Sequence, residues 1–322
     1  MIDVKTTLAS LKKKRLDSSN FLLFFTICLF LVMYLAGIIV YHGAGFGRMQ
    51  TFLNMLIDNA GLLIAASGMT LVMIAGGIDI SVGSVVGLVC MMLSFSMERL
   101  AMPSGVAVLL VLLFGVAFGA FQGWLISYME LQPFIVTLAG LFMCRGLTAI
   151  ISSEQIAIKA NAAFLKLANA NINILIGSTV NKRGVRMYPF IHPNVVIALI
   201  AVVVVWYVLK YTRFGRNLFA VGGSEQSALL MGINVKRTKF IAYVVDGFLA
   251  SLAGVVFCLN TTSGFVEQAR GFEMEAIASA VIGGTMLTGG VGTVVGTFFG
   301  VLIKATIETL IRCQGTLSSW WN

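Results

Sequence analysis

The stretch GGIDISVGSVVG, residues 76–87, decides the fold of this 322-residue chain. It follows one apolar segment, leads into another, and returns later as GGTMLTGGVGTVVG at residues 283–296. The double glycine recurs after 207 residues, from Gly76 to Gly283, and the VG(S/T)VVG part after 209, from Val82 to Val291. Glycine permits backbone conformations that a continuous helix cannot adopt. The repeat therefore predicts two related halves, each with a helix interrupted by glycines, a pattern typical of membrane transport sites.

Apolar segments surround both copies of the repeat. The chain is 58% hydrophobic and 11% charged, with a mean hydropathy of +0.96, whereas a soluble domain carries about 25% charged residues. We predict an all-α polytopic membrane protein in which a cytoplasmic segment, 1–20, precedes a single transmembrane domain, 21–322. Nine transmembrane helices are expected, at residues 21–40, 54–75, 82–97, 105–127, 133–152, 193–210, 238–258, 274–288 and 290–312.

A tenth helix is expected from the repeat. Adding its offset to the segment 105–127 gives about 312–336, which runs past Asn322, so the second copy is cut short. Trp320 and Trp321 support this interpretation, because tryptophans are enriched at the membrane–water interface.

Basic residues set the expected orientation. The formal net charge is +9, and the segment 211–237 with its flanks holds six basic residues against one acid, Glu225. Because cytoplasmic loops retain Lys and Arg, we place this segment and the N-terminus in the cytoplasm, and span parity puts 153–192 in the periplasm. A nucleic-acid partner is not expected, since no stacking aromatics accompany the charges. The six basic residues are Lys210, Arg213, Arg216, Lys236, Arg237 and Lys239.

Catalysis and metal binding are not predicted for this chain. The five cysteines form no CxxC pair and the two histidines, His42 and His192, lie far apart. No GxxxxGK[ST] loop and no nucleophile motif occurs, so we expect no cofactor here and any ATP and magnesium on another chain.

Polar residues within or beside the apolar segments are candidates for a substrate path. Asp79 and Ser81 have two interpretations that are compatible: they cap the helix that begins near Val82, or they contact a substrate. Residues four apart share a helical face, and mixed donors and acceptors suit a neutral, hydroxyl-rich ligand. The candidates are Asp79, Ser81, Ser84, Asn54, Asp58, Glu275, Ser279, Thr285 and Thr288.

The segment 211–237 contains a second candidate site. After a break at Gly222–Gly223, Ser224 is expected to cap a short amphipathic helix over 225–231, and Gly232 to end it. Its apolar side, with Ala228, Leu229 and Leu230, predicts docking onto a partner, because so short a helix is marginal alone in water. The coupling candidates are Gly223, Ser224, Glu225, Ala228 and Gly232.

Four motifs identify a resemblance. They are ASGMTLVMIAGGIDISVGS at 66–84, FIVTLAGLFMCRG at 134–146, NLFAVGGSEQSALLMGI at 217–233 and EAIASAVIGGTMLTGGVGTVVGT at 275–297. Together they resemble the ribose/galactose-type permeases of bacterial ABC importers over nearly the whole chain. The ending GTLSSWW at 315–321 resembles the permease chains of galactofuranose importers.

The resemblance implies a multi-pass protein of the bacterial inner membrane with about ten spans. It implies a periplasmic sugar-binding protein, a cytoplasmic ATPase that carries ATP and magnesium, and a second permease subunit, identical or a sister chain. The segment around 224–232 would be the coupling helix that contacts the ATPase.

Two other functions remain open from the sequence. An ion-coupled secondary transporter also uses repeats and broken helices, but it would need no ATPase. An intramembrane enzyme would need a reactive constellation of side chains, which the sequence does not contain.

Overall fold

The computed structural model describes residues 4–174, 179–180 and 186–314. Secondary structure within these ranges is almost entirely helical, so the all-α class is confirmed. The α-helices are α1 Val4–Val40, α2 Met49–Asp58, α3 Ala60–Ile74, α4 Val82–Glu98, α5 Ser104–Ser127, α6 Pro133–Ile151, α7 Ala162–Ala168, α8 Pro193–Tyr211, α9 Arg213–Gly223, α10 Glu225–Leu230, α11 Val235–Thr261, α12 Phe272–Ile282 and α13 Val294–Gln314.

Short extended pieces pair at the ends of the helices. A 3-10 turn covers His42–Ala44, and two-residue strands pair antiparallel as β1 with β6, β2 with β5 and β3 with β4. The strands are β1 Ile156–Ala157, β2 Ile172–Asn173, β3 Thr179–Val180, β4 Arg186–Met187, β5 Phe190–Ile191 and β6 Ser263–Gly264.

Membrane-length helices are fewer than the nine that the sequence predicted. In the described part of the chain, six are long and apolar enough to cross a bilayer: Phe21–Val40 of α1, and α5, α6, α8, α11 and α13. A 55° bend separates α2 from α3, which count as a seventh span only when taken together. With 17 and 11 residues, α4 and α12 are about 25 and 17 Å long, short of a core of about 30 Å. The expected nine full spans are therefore not confirmed.

Glycines shorten the helices of the second copy. Gly284 follows α12 with a φ of +89°, so this helix ends at Ile282 rather than at 288. Gly289 and Gly290, at φ +84° and +72°, delay the start of α13 to Val294. Other residues rarely adopt such angles, so these breaks follow directly from the glycine pattern.

Helix α11 lies at the centre of the bundle, where it packs against α3, α4 and α5. Small residues allow this close approach: a Cβ on Gly119 of α5 would come within 3.0 Å of the Gly247 Cα of α11. On the other side, a Cβ on Gly254 would meet Val89 of α4 at 2.7 Å. Membrane helices associate through such close contacts. Their side chains already lie in apolar lipid, so packing against another helix gains no hydrophobic free energy. Helix α3 is consequently buried along its whole length.

The loops gather at two opposite ends of the bundle. At the hairpin end, β1 pairs with β6, the Glu98 carboxylate accepts the Lys159 and Ala160 amides, and Gln50 of α2 hydrogen-bonds the Phe190 backbone. At the coupling end, α9 and α10 lie beside the loops that follow α3, α5 and α12. The segment 153–192, predicted as a periplasmic loop, contributes to the hairpin end.

Helix α9 was not predicted, since its residues were expected to form part of a loop. The Thr212 side chain caps it by accepting the Gly215 amide at 3.2 Å. Gly215, Leu218 and Val221 form its buried face, spaced three residues apart. The basic residues of this segment lie on the opposite face and hid the helical period.

Candidate functional site

The break after α3 is built around Asp79. Gly76, at φ +82°, ends the helix, and the Asp79 carboxylate accepts the Ser81 amide at 2.7 Å and the Ser81 hydroxyl at 2.6 Å. Ser81 also bonds the Gln122 side chain of α5, and the Ser84 hydroxyl donates to the Ser81 carbonyl. Asp79 thus accepts the amide of Ser81, the residue before α4, but the Ser81 side chain does not cap this helix, because its hydroxyl contacts side chains instead.

These three predicted path residues are enclosed by protein. Asp79 is 3% exposed, and Ser81 and Ser84 are fully buried. Within the described part of the chain, the bond between Ser81 and Gln122 joins the start of α4 to α5.

The break after α12 contacts the first break directly. The Gly290 amide donates to the Ile74 carbonyl, the last residue of α3, at 2.9 Å. A Cβ on Gly289 would come within 2.9 Å of the Gly76 Cα. The two breaks therefore pack backbone against backbone. Thr285 is buried beside this contact, and Thr288 is exposed.

The end of α9 completes this contact. A Cβ on Gly289 would lie 2.9 Å from the Gly222 carbonyl oxygen, and one on Gly290 would lie 2.8 Å from the Gly223 Cα. We call the five glycines Gly76, Gly222, Gly223, Gly289 and Gly290 the glycine junction. It joins the two breaks of the repeat to the segment 211–237 through main chain alone.

A second polar region opens between α2, α12 and α13. Lys304 of α13 lies 2.9 Å from Glu275 of α12 and 2.7 Å from Glu308. One helical turn further on, Arg312 pairs with Asp58 at the end of α2 at 2.9 Å. These side chains line a cavity of about 360 Å³. We call it the charged groove; it comprises Asp58, Asn59, Glu275, Lys304, Glu308 and Arg312.

The structure separates the remaining path candidates. Asp58 and Glu275 lie in the charged groove, but Asn54 bonds Gln50, which leads to the hairpin end. Ser279 is fully buried. Lys304, Glu308 and Arg312 of α13 were not among the predicted path residues, although their spacing by four residues is the signal of one helical face.

The coupling segment folds as a short corner of α9, α10 and α11. The Ser224 hydroxyl accepts the Ser227 amide at 3.3 Å, and Gly232 follows α10 with a φ of +77°. The predicted cap and helix end are therefore confirmed. Glu225 pairs with Lys239 of α11, and Gly223 is exposed beside the junction.

Ala228 lies on the inner side of this corner. It is 0% exposed and packs against Val221 and Val235. The exposed apolar side chains of the corner are instead Leu229, Leu230 and Met231. Of the apolar side that the sequence predicted, Leu229 and Leu230 are therefore exposed, whereas Ala228 is buried because it faces α9.

An ion pair closes the other side of the corner. Lys236, in the first turn of α11, lies 2.7 Å from Glu130 in the loop between α5 and α6. The hydrogen bond from Lys236 lowers the pKa of the Glu130 carboxyl, so Glu130 is ionised at neutral pH.

Residues 51–322 match a family described as the permease component of branched-chain amino acid transport systems. The chain belongs to this family. It is 41% identical over 304 residues to the inner membrane ABC transporter permease protein YjfF of Escherichia coli, covering 94% of this chain and 87% of that protein. It is 36% identical to the fructose import permease protein FruG of Bifidobacterium longum, with 85% of this chain and 78% of that protein covered. The ribose import permease protein RbsC of Escherichia coli is 34% identical, with 85% and 81% covered. No solved structure matches.

These relatives confirm the resemblance drawn from the four motifs. The chain is a multi-pass inner-membrane permease subunit of the ribose/galactose type. It is non-catalytic, and ATP hydrolysis belongs to a separate subunit of such importers.

Proposed function

We propose that this chain forms one half of the translocation path of a monosaccharide importer, and that the charged groove faces this path. The observation that carries the proposal is the row of charges on α13. Lys304 lies ten residues after Val294, the start of this helix, or about 15 Å along it, close to half the thickness of a bilayer core.

Such a face is incompatible with lipid. A charged residue at the bilayer centre costs about 2.5–3.5 kcal/mol on insertion scales, so intramembrane charges face water or other protein. Lys304, Glu275 and Glu308 neutralise one another in part, but the cavity beside them is open and polar. We expect these charges to face a water-filled path. This path would be shared with a second permease subunit, which is either identical or a sister chain.

The chemistry of the groove suits a sugar. Lys304 and Arg312 offer N–H donors, and Asp58, Glu275 and Glu308 offer carboxylate acceptors within one cavity. Sugar hydroxyls donate and accept, so they can exchange places with water along such a surface. A site of this kind binds weakly, which leaves affinity and selectivity to the periplasmic sugar-binding protein.

Galactofuranose is the sugar that we propose. Its support is the resemblance of residues 315–321 to permeases of galactofuranose importers; those residues lie outside the described part of the chain. The names of the relatives FruG and RbsC give fructose and ribose as the competing sugars.

The corner of α9 and α10 is the proposed contact with the ATPase. Leu229, Leu230 and Met231 project from it and would occupy a groove of the ATP-binding subunit, which carries ATP and magnesium. Movement of α10 would reach the membrane through the glycine junction, because Gly222 and Gly223 lie directly against both breaks. The coupling end is then cytoplasmic, and the hairpin end meets the sugar-binding protein in the periplasm.

Reconstitution tests the function. The permease, its ATPase, the second permease subunit and the sugar-binding protein are placed in proteoliposomes, and uptake of radiolabelled galactofuranose is measured with ribose or fructose as competitor. We expect uptake that requires ATP and the binding protein. Uptake by the permease alone under an ion gradient would instead identify a secondary transporter, and uptake of ribose alone would overturn only the choice of sugar.

Orientation has a separate test. Single cysteines in 211–237 and in 153–192 are exposed to an impermeant thiol reagent in spheroplasts, in a variant without the native cysteines. Labelling of 153–192 and protection of 211–237 are expected; the reverse pattern would contradict the assignment.

A further inference from the structure

Asp246 is a buried carboxyl group that the proposed path does not use. It lies near the middle of α11, is 0% exposed, and neither of its carboxylate oxygens has a hydrogen-bond partner among the described residues. Tyr243, three residues earlier on the same face of α11, donates to the Ile78 carbonyl, and this contact brings the next residue, Asp79, beside Asp246. Two acidic side chains therefore meet in the centre of the bundle.

The space around the pair is closed. On α3, a side chain at Gly68 would overlap the Asp246 Oδ1 atom, so the helix passes directly over the carboxyl group. Asp79 is 3% exposed. Solvent therefore does not separate the two acids, and their charges face each other in a medium of low dielectric constant.

The hydrogen-bond donors near Asp246 donate to other acceptors. The Tyr243 hydroxyl of α11 donates to the Ile78 carbonyl at 3.3 Å, and the Gln122 amide of α5 donates to the Ser81 hydroxyl at 3.1 Å. Ser81 itself donates to Asp79.

Arg145 of α6 does not neutralise the pair, because its guanidinium group hydrogen-bonds backbone carbonyls instead. Arg145 donates to the carbonyls of Val266, Gln268 and Ala269. Cys144, beside it, faces Asp79 and brings no positive charge.

We propose that Asp79 and Asp246 bind one proton between them. One carboxyl group is then a neutral acid whose O–H donates to the other, which remains a carboxylate. Two adjacent ionised carboxylates repel each other strongly in a buried site. A pair of neighbouring carboxyl groups therefore retains one proton. The proton also supplies the hydrogen bond that Asp246 otherwise lacks, since an unsatisfied buried polar group costs about 1–3 kcal/mol.

The bound proton ties the break after α3 to the central helix. It joins Asp79, which holds the start of α4, to α11, which packs on α3, α4 and α5. The proton comes from water, and its loss at alkaline pH leaves two adjacent buried charges. Stability of the bundle is therefore full while the proton is bound and falls as the pH rises.

Infrared spectroscopy of the purified full-length permease in nanodiscs tests the proposal. We expect the C=O stretching band of a protonated carboxylic acid at neutral pH. Asp246→Asn and Asp79→Asn should each abolish it, because the amide then donates to a remaining carboxylate. Glu130→Gln is the matched control, since this exposed carboxylate is ionised already, and the band should persist.

Thermal unfolding gives a second readout. The wild-type permease should lose thermal stability as the pH is raised into the alkaline range, and Asp246→Asn should show a smaller loss, because its amide donor does not titrate. Absence of the protonated band from the wild-type spectrum, or its persistence in both Asn variants, would overturn the proposal. An equal loss of stability in wild type and Asp246→Asn would also contradict it.

Discussion

Replacing Leu230 by Ala should weaken binding of the ATPase subunit without disturbing the permease. Leu230 is 90% exposed at the end of α10, so its side chain contributes little to the fold of this chain. Burial of a leucine side chain contributes about 1.5–3 kcal/mol, and each 1.4 kcal/mol is a tenfold change, so an anchoring Leu230 predicts a loss of about 10- to 150-fold in affinity.

The assay titrates purified ATPase onto the permease in nanodiscs and measures sugar-stimulated ATP hydrolysis in parallel. Leu113→Ala is the matched control: it removes the same atoms from an exposed position on α5, away from the coupling corner, and should leave the affinity unchanged. Equal affinity of Leu230→Ala and wild type would refute the docking surface.

Ala228 gives the complementary case at the same corner. An Ala228→Arg side chain would have to enter the contact with Val221 and Val235, where Ala228 is fully buried. We expect this variant to lose ATPase coupling through disruption of the corner, seen as faster proteolysis of the segment 211–237. Normal proteolysis together with lost coupling would instead place position 228 in the interface itself.

Three further predictions concern Asp79, the glycine junction and the charged groove. Asp79→Asn should reduce uptake only modestly, since Asn caps about as well as Asp. Asp79→Leu should reduce expression severely, because Ser81 loses its hydrogen-bond acceptor. Full uptake by Asp79→Leu would contradict this role. Gly222→Ala should reduce uptake while ATP hydrolysis continues, because a Cβ there would overlap the end of α3, and Gly146→Ala, with open space around it, is the control. Lys304→Met should abolish uptake at normal expression, since it leaves two carboxylates without their shared cation; unimpaired uptake would remove the groove from the path.

Local signals made much of the fold predictable. The starts of α5, α6 and α8 fall within one residue of the predicted segments, because long apolar runs have no alternative to a helix in lipid. Ser224 and Gly232 bound α10 as expected, since a capping hydroxyl and a left-handed glycine act within one turn of chain.

The candidate site was predictable only in part. Asp58 and Glu275 were proposed for the path and do lie in the charged groove, but Asn54 and Ser279 do not. Residues that share a face on one helix are visible in the sequence; the helix that covers this face is not. Asp79 is buried by α5 and α11, which lie far from it in the chain. The sequence shows only a charged residue between two apolar segments, and this pattern does not distinguish a residue enclosed by protein from one exposed to a substrate path.

The sequence by itself determined the class of protein, the glycine breaks after α3 and α12 and the capped helix α10, because composition, glycine pairs and caps act over short stretches of chain. Only the tertiary structure decided which polar residues meet. It brought Gly222 against Gly76 and Gly289, Lys304 between Glu275 and Glu308, and Asp246 beside Asp79. Apart from the pair of Lys304 and Glu308, which share one face of α13, these contacts join residues far apart in the chain. Their approach depends on how small side chains let the helices pack, which no local pattern specifies.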